Sequence, residues 1–119
     1  MHRDMEVIRQ IILAAKDADG VSVSGIAGVS DEVFSFNAAL LIEAGLAKGR
    51  VMEQGDPPMP TMVDIFRLTW AGCDFADSIN DETIWKKAKE NIIKPGASWT
   101  FALLGEYLKM LLSEKLGLG

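Results

Sequence analysis

Few residues of this chain are of types that can do covalent chemistry. His2 is the only histidine and Cys73 the only cysteine. A hydrolytic triad needs an imidazole beside its nucleophile, and a structural zinc site needs several nitrogen or sulfur ligands. One histidine at a terminus that frays supplies neither. Cys73, in "WAGCDF", stands near a predicted helix start that could lower its pKa, but it has no histidine to activate it. It reads as a small packed residue. Asp74, Asp77 and Asp81 stand at i, i+3 and i+7, so they could line one helix face and offer oxygens to a cation. No loop motif supports that, and solvated acids are the simpler reading. Glycine-rich phosphate loops are absent. The expectation is a chain that is not an enzyme, with no cofactor, no metal and no small-molecule substrate.

The residues that could touch nucleic acid form three groups. Ser35 and Asn37, with Phe36 between them, lie on a predicted helix that could enter a groove, where Asn pairs bidentately with adenine. That helix carries Asp31, Glu32 and Glu43 and no base, and acids repel phosphates. The competing reading is a core helix with a solvated acidic end. Lys48, Arg50 and Arg67 on two predicted strands could grip phosphates. Alternatively, Arg67 neutralises Asp64 or Glu53 across the hairpin. Lys86, Lys87 and Lys89 in "WKKAKE", with Lys94 nearby, make a basic helix face that meets nucleic acid, meets the acidic half of a second copy, or is simply solvated. Trp70, Trp85 and Trp99 read as core or interface aromatics.

Charge sharpens the choice. The net charge is −5, and it is unevenly spread. Residues 1–82 hold six Lys/Arg against fourteen Asp/Glu, whereas residues 83–119 hold six Lys against three Glu. A phosphate-seeking surface should be basic, and here the basic part is the C-terminal region. The length of 119 residues with 49% apolar content fits one compact unit with a core of its own. A lone cysteine suits a reducing cytosol. The N-terminus has no signal-peptide core, and "IILAA" is far short of the ~20 residues of a membrane span. The expectation is a soluble cytoplasmic protein with no membrane partner.

These side chains must be positioned by local elements. Met5, Ile8, Ile12 and Ala15 recur at helical spacing over 4–18, with Asp4 as N-cap and Gly20 closing the segment. Residues 21–29, "VSVSGIAGV", suit a short strand or irregular crossing, leaving room for at most one helical turn. Ser30 caps a helix over 31–44, whose stripe is Phe34, Ala38, Leu41 and Ile42. Gly45 then supplies the C′ position. Residues 47–54 and 62–69 read as strands around the turn "GDPPMP". On the second of them, Val63, Ile65, Phe66 and Leu68 cover both faces. A helix begins near Ala71 with Phe75, Ala76 and Ile79 inward. Asn80 or Asp81 caps the next, with Ile84, Trp85, Ala88 and Ile92 inward. Pro95 and Gly96 end it, and Ser98 caps a last helix over 99–116. The stripe Phe101, Leu104, Tyr107, Leu108, Leu111 and Leu112 there is too wide to leave in water, at roughly 1.5–3 kcal/mol per leucine. It must pack on the core or on another chain.

Three stretches, "MHRDMEVIRQIIL", "LLIEAGLAKG" and "LTWAGCDFADSINDETIWKKAKENI", resemble a bacterial and prophage-associated family catalogued as domain of unknown function 2513. The resemblance covers nearly the whole chain, and "LTWAG" followed by "DETIWKKAKE" is its most specific part. It implies a winged-helix fold and a regulatory or phage-related role, and no reaction, cofactor or substrate.

The reading is therefore an α+β, mostly α, winged helix-turn-helix core over 1–70, with a short second helix and a β-hairpin wing. C-terminal helices over 71–119 pack on it or form an oligomer interface through Phe101, Leu104, Leu108, Leu111 and Leu112. Its expected function is a non-catalytic regulatory or interaction module whose partner is a second copy or another protein. A DNA-binding transcriptional regulator is the alternative.

Overall fold

The computed structural model describes residues 2–93 and 99–118. The element order is α1 (Met5–Lys16), α2 (Asp31–Glu43), β1 (Ala47–Gln54), β2 (Met59–Leu68), α3 (Trp70–Ile79), α4 (Glu82–Asn91) and α5 (Phe101–Lys115). The chain divides into two compact units, 1–73 and 74–119. The break expected at Pro95 and Gly96, the cap expected at Ser98, and Lys94 lie outside the described residues.

In the first unit the caps follow their local chemistry. The Asp4 carboxylate accepts from the N–H groups of Glu6 and Val7, and Ser30 Oγ accepts from Val33 N–H. Each side chain answers donors that the first helical turn leaves without partners. At the far end of α2, Gly45 has φ +77°. Gly45 N–H donates to Ile42 O and Leu46 N–H donates to Leu41 O. Those two bonds close a Schellman motif, which needs the left-handed conformation that glycine adopts without strain. The stop turns the chain directly into β1.

Residues 21–29 cross without forming a helix. Val23 exchanges two backbone bonds with Ile65, at 2.8 and 2.9 Å, and Val29 N–H reaches Ile26 O in a single turn. β1 and β2 pair antiparallel, with register breaks between Lys48 and Gly49 and between Met52 and Glu53. The expectation that β2 starts at 62 is corrected to Met59. Pro60 lies opposite Glu53 beside the second break, where a residue without an N–H is tolerated. Apolar cover on both faces of β2 is also corrected. Val63, Ile65 and Leu68 are buried, but Phe66 is the extra residue of the bulge and is exposed. A bulge shifts the inside–outside alternation by one residue, which returns Leu68 to the core. The inner face packs on α1 and α2, so the core of this unit joins Ile8, Ile11, Ile12, Phe34, Ala38, Leu41, Val63 and Ile65.

In the second unit α4 and α5 run antiparallel. Asp81 caps α4 and forms an ion pair with Lys115 at the end of α5, while Asn91 Nδ2 donates to the Tyr107 hydroxyl at 2.8 Å. The last helix starts at Phe101 with Thr100 as its cap. Phe75 and Phe101 pack with ring centroids 5.1 Å apart.

Candidate interaction surface

The helix that could enter a groove presents little to read with. Ser35 is 3% exposed and Asn37 fully buried. Asn37 Oδ1 accepts the N–H of Asp4 at 2.8 Å, and its Nδ2 donates to Val33 O at 2.9 Å. Ser35 Oγ donates to Thr61 O at 3.3 Å. Their assignment as nucleic-acid contacts is therefore corrected. The reason is the width of the buried face. α1 covers one flank of α2 and β2 the other, so positions 34, 35, 37, 38 and 41 all turn inward. Polar side chains there serve as structural bonds, as buried polar groups must. Phe36 is half-buried, and the exposed residues of α2 are Asp31, Glu32 and Glu43.

On the strands, Arg50 and not Arg67 neutralises Asp64, with Nη2 2.7 Å from Oδ2. Ser24 donates to the other carboxylate oxygen at 2.6 Å. These two hydrogen bonds, Ser24 first and Arg50 second, hold the Asp64 carboxyl below its ordinary 3.8. Arg67 donates to Leu68 O at 3.1 Å, and its Cα partner is Lys48, so two exposed bases stand side by side at the hairpin base. Lys86, Lys87 and Lys89 are exposed along α4.

The stripe on α5 does not face outward. Leu104, Leu108 and Leu111 are buried and Phe101 and Leu112 half-buried within the single chain. For Leu104, Leu108 and Leu111 the proposed interface is corrected accordingly, since a side chain already covered has nothing left to bury against a second copy; Phe101 and Leu112 keep part of their surface. α3 brings further corrections. Its inward positions are Gly72, Phe75, Ala76 and Ile79, which leaves Cys73 exposed rather than packed. Trp70 is 86% exposed, so it is not a core aromatic, whereas Trp85 is. Asp74, Asp77 and Asp81 do not share one helix, because α3 ends at Ile79 and Asp81 caps α4. Among the described residues no cluster of three His, Cys, Asp or Glu could hold a metal ion, and no helix is long and apolar enough to cross a membrane.

What the structure does expose is the outer face of the hairpin. Met52 and Met62 are Cα partners, 47% and 59% exposed. Arg50 and Asp64 form the next pair on that face, followed by Phe66, 51% exposed, with Met59 exposed toward the tip. A cleft of about 150 Å3, lined by Ser24, Asp31, Ser35, Thr61, Met62 and Asp64, borders it. The methionines were missed from sequence. Their period-two placement in "RVMEQ" and "TMVDIF" was visible, but which face met α2 was not.

The architecture is an α+β class, mostly helical, with an antiparallel hairpin carried between helices. Residues 2–98 match the family model described as "Hypothetical protein (DUF2513)", and the chain belongs to that family. No curated protein and no solved structure matches it.

Proposed function

We propose that this chain is a non-catalytic regulatory or interaction module of winged-helix type, acting mainly through protein contacts made by the outer face of its hairpin. The observation that carries the reading is the exposed row of Met52, Met62 and Phe66, taken together with the burial of Asn37. Exposed apolar side chains gathered on one face mark contact sites, and methionine adapts its shape to a partner. The winged-helix element of the reading is supported by the order α1, crossing segment, α2, hairpin, and by the Val23 bridge that lengthens the sheet. The test places a photo-crosslinking side chain at position 62 of the full chain in cells that produce it. A discrete protein adduct, not formed from the exposed position of Lys16, is expected. Failure to form one would sink the reading.

DNA binding is the second reading, favoured by the exposed Lys86, Lys87 and Lys89 and by the Lys48–Arg67 pair. An electrophoretic shift with mixed genomic fragments at ~50 mM salt, where phosphate contacts are strong, decides it. A shift abolished by removing these lysines establishes this reading in place of the first.

A further inference from the structure

We infer that the free edge of β1 pairs antiparallel with β1 of a second copy, about a two-fold axis at Met52; this rests on the protein-contact reading and names its partner. The backbone geometry leads there. Ile65 turns its N–H and C=O toward Val23, exchanging both bonds with it, so these groups point away from β1. Its Cα partner Gly49 forms the matching non-hydrogen-bonded pair, and the backbone groups of Gly49 point outward too. The alternation continues through Val51 and Glu53. Among the described residues no backbone bond outside the hairpin answers these three. An unpaired edge of this kind is a template for another strand.

The occupant follows from charge and from the apolar row. β1 carries Lys48 and Arg50 in its first half and Glu53 near its end, with Asp56 just beyond. Such a strand complements itself when reversed. With the axis at Met52, Arg50 faces Gln54 of the second copy, Val51 exchanges bonds with Glu53, and the Lys48 end of each strand approaches the turn of the other that carries Asp56. An axis at Arg50 would instead set two guanidinium groups against each other, and like charges directly opposite destabilise a sheet. The Met52 axis also aligns Met62 and Met52 with Met52 and Met62 of the second copy into one continuous apolar row, each strand ~4.8 Å from the next.

The experiment uses the full chain. Light scattering at micromolar to millimolar concentration should give twice 13.0 kDa. Met52→Lys and Met52→Glu should each return it to a single-chain mass with unchanged far-UV circular dichroism, and an equimolar mixture should restore the dimer. In a Cys73→Ser background, Met52→Cys should oxidise to a covalent dimer. Opposed residues of a non-hydrogen-bonded pair lie about 4.5 Å apart at Cα, within disulfide reach. Gln54→Cys, which faces Arg50, should not. A wild-type chain that stays single at millimolar concentration overturns the inference, as does a dimer indifferent to both Met52 variants. A single chain whose crosslink at position 62 reaches another protein overturns the self-pairing alone and leaves the proposed function standing. The absence of any such crosslink overturns that function itself.

Discussion

Replacing Asn37 by alanine separates a structural residue from a reading residue in one measurement. The side chain is fully buried. It accepts from the Asp4 N–H at 2.8 Å and donates to Val33 O at 2.9 Å. Asp4 is also the N-cap of α1, so the first bond ties the start of α1 to the middle of α2. Each hydrogen bond contributes about 1 kcal/mol net, and a donor left without a partner costs more than the bond itself gave. The truncation also opens a small void. The expected loss is about 2–3 kcal/mol, which for a chain of this size corresponds to a fall in Tm of roughly 8–12 °C. The assay is thermal melting by far-UV circular dichroism, supported by amide hydrogen exchange, in which the Asp4 N–H should lose protection. A surface residue that reads bases would behave differently, since substitutions there stay within about 0.5 kcal/mol. A Tm within ~2 °C of wild type, with weakened DNA binding, would refute the structural assignment.

Three further outcomes follow from the geometry. At Gly49 an added Cβ would stand 2.1 Å from Asp64 O, whereas at Gly105 it meets nothing within 4 Å. Gly49→Ala should therefore destabilise by about 1–3 kcal/mol through overpacking against backbone, and Gly105→Ala, inside α5, should stabilise by roughly 0.5–1 kcal/mol, both read by urea denaturation. Because the folded Asp64 carboxyl titrates below its ordinary 3.8, its contribution is present above that value and is lost as pH falls through the folded pKa. Ser24→Ala should move the Asp64 titration upward in a carboxyl NMR experiment, and an unmoved or lower value would contradict the bond. Asp81→Ala removes both the α4 cap and the partner of Lys115. It should cost about 1 kcal/mol from the cap, and a melt indistinguishable from wild type would show that neither interaction matters.

The elements were legible where their signals are local. Asp4, Ser30 and Asp81 each cap a helix, because a short acceptor side chain needs only the next three residues to find its donors. Gly45 ends α2 by the same logic, and the apolar spacing of "MEVIRQIIL" marks α1. The site was legible only in part. Ser35 and Asn37 look like offered polar groups on a sequence whose buried stripe is read as Phe34, Ala38, Leu41 and Ile42. Two neighbours packed on α2 from different sides widened that stripe, and no local pattern records a second neighbour. Cys73 and Trp70 turned outward because α3 buries the stripe of Gly72, Phe75, Ala76 and Ile79, a phase that depends on where the helix starts. Arg50 rather than Arg67 found Asp64 because the bulge at Phe66 shifted the register by one residue.

By itself, then, the sequence determined what is decided within a few residues of the chain: helix starts and stops, the hairpin, the charge asymmetry between its two parts, and membership of a family. The tertiary structure alone decided which side chains are available to a partner. Availability depends on what packs against each face, and that is set by contacts such as Asn37 with Asp4 and Ile65 with Val23, 33 and 42 residues apart in the chain. Register acts the same way, since moving a strand by one residue exchanges its inner and outer faces. Through it Met52 and Met62 came to lie side by side in the open, while the asparagine that looked ready to read a groove became part of the core.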